Sequence, residues 1–322
     1  MSTPTGQQAV IVTSGLTKRY GRIDALTALD LAVPNGVIYG FLGPNGAGKT
    51  TAIRLLMGFI RPSAGRAAIF GHDTWRDGVA ARRELGFLVN AESLYSDLSG
   101  RDQLDYAVSI SDRPPVLRRR LLDALELSDD ALDRRLGSYS KGMRQKLALT
   151  AALQHDPALL ILDEPTDGLD PLIQHAFEEI LRERRDAGRT VFMSSHDLAE
   201  VERICERVAV ARGGRLILEA AITDLTRRHR RTAEVRFAGP VPASLAEQPR
   251  VTLVRQEGSH ATLAVDGDVT PLVRYLAGTD MTDLLLPPPR LEDIFLELYD
   301  THGVNGATAE AAGTAISTRR RP

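Results

Sequence analysis

The chain has 322 residues, 43% of them hydrophobic, with a formal charge of −2. That length can build one large core or two smaller ones, and the near-neutral charge gives no electrostatic case for a nucleic-acid partner. A single cysteine, Cys205, excludes an internal disulfide, and no run reaches the eighteen apolar residues of a membrane span; the first residues do not read as a signal peptide.

Short apolar or β-branched runs over 9–12, 37–42, 66–70, 85–89, 159–162, 190–193 and 208–211 predict strands, and helical patterns over 50–60, 141–154 and 171–187 lie between them. Such alternation predicts an α/β domain around a largely parallel, buried sheet. Residues 96–137 are polar, helical and strand-free, which predicts an inserted helical subdomain. A basic stretch, Arg227-Arg228-His229-Arg230-Arg231, reads as a solvated linker. Beyond it, strands over 232–237, 251–255, 260–265 and 281–286 with helices over 270–277 and 291–299 predict a small α+β domain, ferredoxin-like in its order. From His302 onward Gly, Ala and Thr dominate, which predicts a disordered tail.

The strand over 37–42 runs into Gly43-Pro44-Asn45-Gly46-Ala47-Gly48-Lys49-Thr50, which matches the P-loop pattern and opens a helix at Thr50 and Thr51. Glycines let successive N–H groups converge on phosphate oxygens, and the helix terminus adds partial positive charge. Lys49, one of only four lysines among 40 basic residues, places a compact ammonium on the β- and γ-phosphates. Thr50 can offer its hydroxyl oxygen to Mg²⁺. The strand over 159–162 ends in Asp163-Glu164. A carboxylate at that edge suits Mg²⁺, and Glu164 can polarise an attacking water as general base. Ser140, ahead of the helix over 141–154, would cap it and turn its free N–H groups outward as an anion site.

A P-loop alone leaves kinases, GTPases, helicases and recombinases open. The order of the further motifs over residues 9–225 resembles the ATP-binding-cassette (ABC) family. Tyr139-Ser140-Lys141-Gly142-Met143-Arg144-Gln145 is similar to the family's signature sequence. Asp167-Gly168-Leu169-Asp170 resembles the loop that crosses the family's dimer interface. His196, after Met193-Ser194-Ser195, resembles the switch histidine on the γ-phosphate, and Tyr20 resembles the aromatic that stacks on adenine.

The resemblance implies a P-loop NTPase cassette over 9–228, with the helical subdomain at 96–137, an accessory α+β domain over 229–301 and the tail over 302–322. It implies an ATPase that uses ATP and Mg²⁺. Lys49, Glu164 and His196 would be catalytic. Tyr20, Gly43 to Thr51, Asn90, Ser140, Lys141, Gly142, Met143 and Asp170 would touch nucleotide, and Thr50, Asp163 and Asn90 would face the metal. Asn90 departs from the pattern, since the family has glutamine there. Two copies would sandwich two ATP molecules, each signature helix meeting the γ-phosphate held by the other copy.

The signature form and Pro289-Arg290-Leu291-Glu292-Asp293-Ile294-Phe295 are similar to bacterial drug and antibiotic exporter cassettes. Such a cassette would drive a separately encoded integral membrane permease from the cytoplasmic face of the membrane, and sit in the cytoplasm when unassembled. A soluble ABC-type ATPase with a regulatory or repair role and no permease is the other reading.

Overall fold

The computed structural model describes residues 9–88, 91–228, 230–288, 291, 292 and 295. The expected tail and most of the expected helix over 291–299 lie outside them. The chain divides into two compact units, Met1–Ala221 and Ile222–Pro322.

The first unit contains strands β1 (Ala9–Tyr20), β2 (Ile23–Pro34), β3 (Ile38–Leu42), β4 (Ala64–Ile69), β5 (His72–Asp73), β6 (Leu85–Phe87), β7 (Leu159–Asp163), β8 (Thr190–Ser195), β9 (Arg207–Arg212) and β10 (Arg215–Ala221). Its helices are α1 (Lys49–Leu56), α2 (Gly78–Arg82), α3 (Gly100–Ser111), α4 (Arg118–Ala124), α5 (Asp129–Leu132), α6 (Lys141–Leu153), α7 (Pro171–Asp186) and α8 (Leu198–Ile204). A six-stranded sheet has the order β10-β9-β3-β8-β7-β6, parallel except for the β9–β10 hairpin. Every residue of β3 and β8 is buried, which is how strands covered on both faces read in sequence: as continuous apolar runs. Phe192 on β8 stacks on Tyr39 and Phe41 of β3, with ring centroids 5.9 and 5.8 Å apart.

A second sheet, β2-β1-β4-β5, is antiparallel throughout. It shares a core with the first, Ile11, Leu29 and Leu31 meeting Phe41, Ile161 and Phe192. The sequence pattern predicts the strand over 66–70 that becomes β4, but only residues 9–12 of the β1–β2 hairpin, and the reason is local. Ala28 has a φ of +47°, and the β1–β2 register shifts between Thr13 and Leu16 and again between Leu16 and Lys18. Each bulge moves the buried set off strict alternation, so Leu26 and Leu29 are both buried three positions apart. In 96–137 short helices dominate. Ser99 forms a capping box with Asp102, and Ser128 caps α5.

The second unit contains α9 (Ile222–Arg228), β11 (Arg231–Phe237), β12 (Val251–Glu257), β13 (His260–Val265), α10 (Thr270–Leu276) and β14 (Met281–Leu285). The strand order is β12-β13-β11-β14, all antiparallel. A 3₁₀ turn, Ala243–Leu245, stands where a ferredoxin-like domain has its first helix. On β11 Ala233, Val235 and Phe237 are buried while Thr232, Glu234 and Arg236 are exposed, the alternation of a sheet with one wet face. Leu263, Val265, Leu272 and Leu276 complete the core beneath it.

Because Phe192 sits between two rings in the central sheet, Phe192→Ala is expected to cost about 3–5 kcal/mol of stability. Chemical denaturation of the variant against the parent checks this, and a loss under 1 kcal/mol would mean that the ring contacts do not hold the sheet.

Candidate functional site

The site forms where three neighbouring parallel strands, β3, β8 and β7, end. Leaving β3, the loop from Gly43 to Gly48 turns into α1 with Pro44, Asn45 and Gly46 exposed. Gly48 has a φ of +99°, and a β-carbon there would lie 2.6 Å from the carbonyl oxygen of Ala25. Only glycine fits both demands. The loop is braced from behind by the β9–β10 turn, since Gly214 N–H donates to Ala47 O (3.2 Å) and Thr27 N–H donates to Gly214 O (2.7 Å). Thr50 and Thr51 continue the first turn of α1.

Lys49 is buried, its side chain 6% exposed, and its ammonium donates to Gly43 O at 2.6 Å. The same Nζ lies 3.3 Å from Glu164 Oε1. Glu164 Oε2 is in turn 2.7 Å from His196 Nδ1 and accepts from the His196 N–H at 3.3 Å. One carboxylate thus joins the P-loop lysine to the histidine beyond β8. Asp163 closes β7, and its Oδ1 accepts from Ser194 Oγ at 2.5 Å. Thr50, Asp163, Glu164, Lys141 and Asp167 line one cleft of about 700 Å³. Thr50 and Asp163 bring two hard oxygen donors to it, the donor type Mg²⁺ takes alongside substrate phosphates.

Ser140 caps α6, its Oγ accepting from Met143 N–H at 3.2 Å, and both Ser140 and Lys141 are exposed. Lys141 Nζ lies 2.8 Å from Asp167 Oδ2, which raises its pKa. A β-carbon on Gly142 would lie 3.0 Å from Gly168 O, so that helix end and the loop after β7 pack closely. The buried Gln145 amide reinforces the contact by donating to Pro165 O at 2.7 Å.

Asp170 and Tyr20 have partners outside the cleft. Asp170 caps α7 by accepting from Ile173 N–H at 3.1 Å, and the cleft is lined by Asp167 in its place. Tyr20 ends β1, 44% exposed, with Lys18 Nζ 4.9 Å from its ring centroid, and it is not among the residues lining the cleft. Asn90 lies outside the described residues. The sequence reading gave no role to Ser194 or to the Gly214 brace, and it placed Gln145 in the signature stretch without its contact to Pro165. It also missed Glu200, on α8, which is buried and accepts from Ser195 Oγ at 2.6 Å. Burial pushes its carboxyl pKa up.

A glycine-rich phosphate loop with a lysine, two strand-end acids and a histidine on one parallel sheet edge defines a P-loop ATPase. Residues 26–167 match the family model described as ABC transporter. The chain is 35% identical over 301 residues to the daunorubicin resistance ATP-binding protein DrrA3 of Streptomyces coeruleorubidus, covering 89% of this chain and 95% of that protein. It is 32% identical over 302 residues to the bacitracin transport ATP-binding protein BcrA of Bacillus licheniformis, covering 90% and 97%. A solved ATP-binding subunit of an ABC transporter superposes with a TM-score of 0.63 at 29% identity, over 68% of this chain and 92% of that one. A dimeric ATP-binding cassette bound to ADP and Pi shares the fold, with a TM-score of 0.60 at 22% identity over 66% and 98%. The chain belongs to the ATP-binding proteins of ABC transporters, and it is an ATPase.

Gly48→Ala is expected to weaken nucleotide binding at least about tenfold, since a strained left-handed alanine alone costs about 1–3 kcal/mol before its clash with Ala25 O. Titration with a fluorescent ATP analogue measures it, and unchanged affinity would contradict the loop geometry. Glu200 gives a pH test. Its pKa is raised in the fold, so its contribution to stability is full below the unfolded value and is lost as pH rises through the folded value. Glu200→Gln, neutral throughout, is expected to gain in Tm over the parent between pH 4 and pH 8, pH values set about the ordinary carboxyl range. A constant difference across that range would show that the fold does not raise the carboxyl pKa.

Proposed function

We propose that the chain is the nucleotide-binding subunit of an exporter of drug-like, antibiotic or related hydrophobic compounds, and that it drives a separately encoded permease by ATP-dependent pairing with a second copy of itself. The observation that carries this reading is the extent of the likeness. Proteins named for daunorubicin resistance and bacitracin transport match across nine-tenths or so of both chains, and that span includes the second unit as well as the cassette. Among the described residues no helix is long and apolar enough to cross a membrane, and in this reading a separate permease provides the passage through the bilayer. The subunit then works at the cytoplasmic face of the membrane.

In this reading the loop from Gly43 to Thr51 grips the phosphates, and Tyr20 stacks on adenine. Thr50 and Asp163 hold Mg²⁺, with Asn90 in the position of the family's glutamine; the ion would supply charge neutralisation on the β- and γ-phosphates. Glu164 accepts the proton of the attacking water while His196 and Lys49 steady the terminal phosphoryl group. The end of α6 at Ser140, Lys141, Gly142 and Met143, where Ser140 caps the helix and Ser140 and Lys141 are exposed, supports a role as anion site for the nucleotide held by the other copy. ATP adds contacts across the pair that ADP cannot, and its cleavage lets the pair open.

Glu164→Gln removes the general base and keeps the shape. It is expected to lower ATPase turnover by about 10²–10⁴-fold and to accumulate an ATP-bound dimer, seen by light scattering in MgATP. A variant that stays monomeric at saturating MgATP sinks the pairing mechanism. Co-sedimentation with membranes, together with an integral partner, tests the permease.

A further inference from the structure

We propose that Ser194 is a positioning residue for ATP hydrolysis, its buried hydroxyl bridging both acids at the end of β7 and fixing the plane of the Asp163 carboxylate and the backbone of Glu164 together. This rests on the roles given above to those two acids.

Ser194 is 0% exposed and comes after Val191, Phe192 and Met193, all buried. A hydroxyl in such surroundings needs partners, and it finds two on the neighbouring strand. Strand pairing sets Ser194 opposite Asp163. The Glu164 N–H donates to Ser194 Oγ at 3.0 Å. A peptide nitrogen can only donate, so the hydroxyl accepts there, and its own proton is free to go to Asp163 Oδ1, 2.5 Å away. The direction of both bonds is therefore determined.

This bridge has two effects on the site. With Oδ1 held by the hydroxyl, the Asp163 carboxylate is restrained about its last bond, and Oδ2 carries no bond to Ser194. Glu164 takes a left-handed φ of +48°, a conformation unfavourable for a residue with a β-carbon. The bond from its N–H to Ser194 helps to hold it there, while Lys49 and His196 hold the other end of the same residue. Ser194 reaches both acids. Replacing it with an apolar residue leaves a carboxylate oxygen and a peptide N–H without their buried partner at once.

The test compares Ser194→Ala and Ser194→Thr in the full chain, with Asp163→Asn and Glu164→Gln alongside. Two quantities are read: binding of a fluorescent ATP analogue with chelator and with Mg²⁺, and kcat and KM for ATP against Mg²⁺ concentration. Ser194→Ala is expected to bind the analogue in chelator within about twofold of the parent. It is expected to lose about tenfold in the Mg²⁺-dependent gain and about tenfold in kcat, with KM for ATP little changed. Threonine, which keeps the hydroxyl and suits a strand, is expected to restore both. Parental Mg²⁺ dependence and kcat in Ser194→Ala overturns the proposal. So does an equal loss of binding in chelator, which marks a general packing defect, or a threonine variant as impaired as alanine. Should Asp163→Asn and Glu164→Gln keep the parental Mg²⁺ response and turnover, the roles of the acids are wrong and the serine's role falls with them.

Discussion

The register of three parallel strands, β3, β8 and β7, governs the rest of the molecule. Leu42 pairs with Ser195, and Ser194 with both Phe41 and Asp163, so all three strands finish within a residue of one another. Neighbouring strands lie only about 4.8 Å apart, which puts the segment leaving each strand within side-chain reach of the others. Those segments carry the phosphate loop, the histidine and the second acid of the pair. The register is held because β3 and β8 are buried along their whole length. A slip by one residue would turn every core side chain to the opposite face, and would carry Ser194 away from Asp163.

That arrangement makes the Glu164 carboxylate the meeting point of the two groups with most to offer a phosphate, Lys49 and His196. Lys49 is nearly buried, and a buried ammonium without a counter-charge is costly. A carboxylate supplies the counter-charge within the chain, as the more highly charged phosphoryl group would under the mechanism proposed above. On that mechanism, substrate binding exchanges one anionic partner for another at Lys49 and sets the Glu164 carboxylate free to take a proton. The lysine need not be bare at any stage, which keeps the exchange inexpensive.

Much of this was legible in the amino-acid order, and the boundary between what could and could not be read is physical. The phosphate loop is legible because backbone convergence demands glycines at fixed spacing, and Lys49 with Thr50 comes directly after them. Ser140 was legible as the cap ahead of its helix and Asp170 only through its resemblance to a family loop, and sequence spacing could not tell that the Asp170 carboxylate caps its own helix while Asp167 reaches the cleft. The antiparallel β1–β2 hairpin was hidden because its bulges break the period-two signal. Ser194, Gly214 and Gln145 act through partners 20 or more residues distant, and no local pattern encodes a contact of that kind. In the second unit the strands were legible by alternation, while their spatial order depends on which pairings the turns allow.

The link between α6 and the loop after β7 shows how the two ends of the cleft can share a movement. Two bonds tie them, and they differ in kind. Gln145 to Pro165 O is buried, and breaking it would leave a buried carbonyl unpaired at a cost of about 1–3 kcal/mol. Lys141 to Asp167 is exposed on both sides, where an ion pair contributes little and is screened by salt. The buried amide is therefore the firmer of the two ties between α6 and the loop that follows the strand-end acids. The exposed pair adds little rigidity, so the Lys141 ammonium can leave Asp167 for a stronger anion at almost no loss. On the pairing proposed above, this helix end would both stay joined to its own site and receive a phosphate from outside; one bond of each sort suits that, and this chain has both within the first two turns of α6.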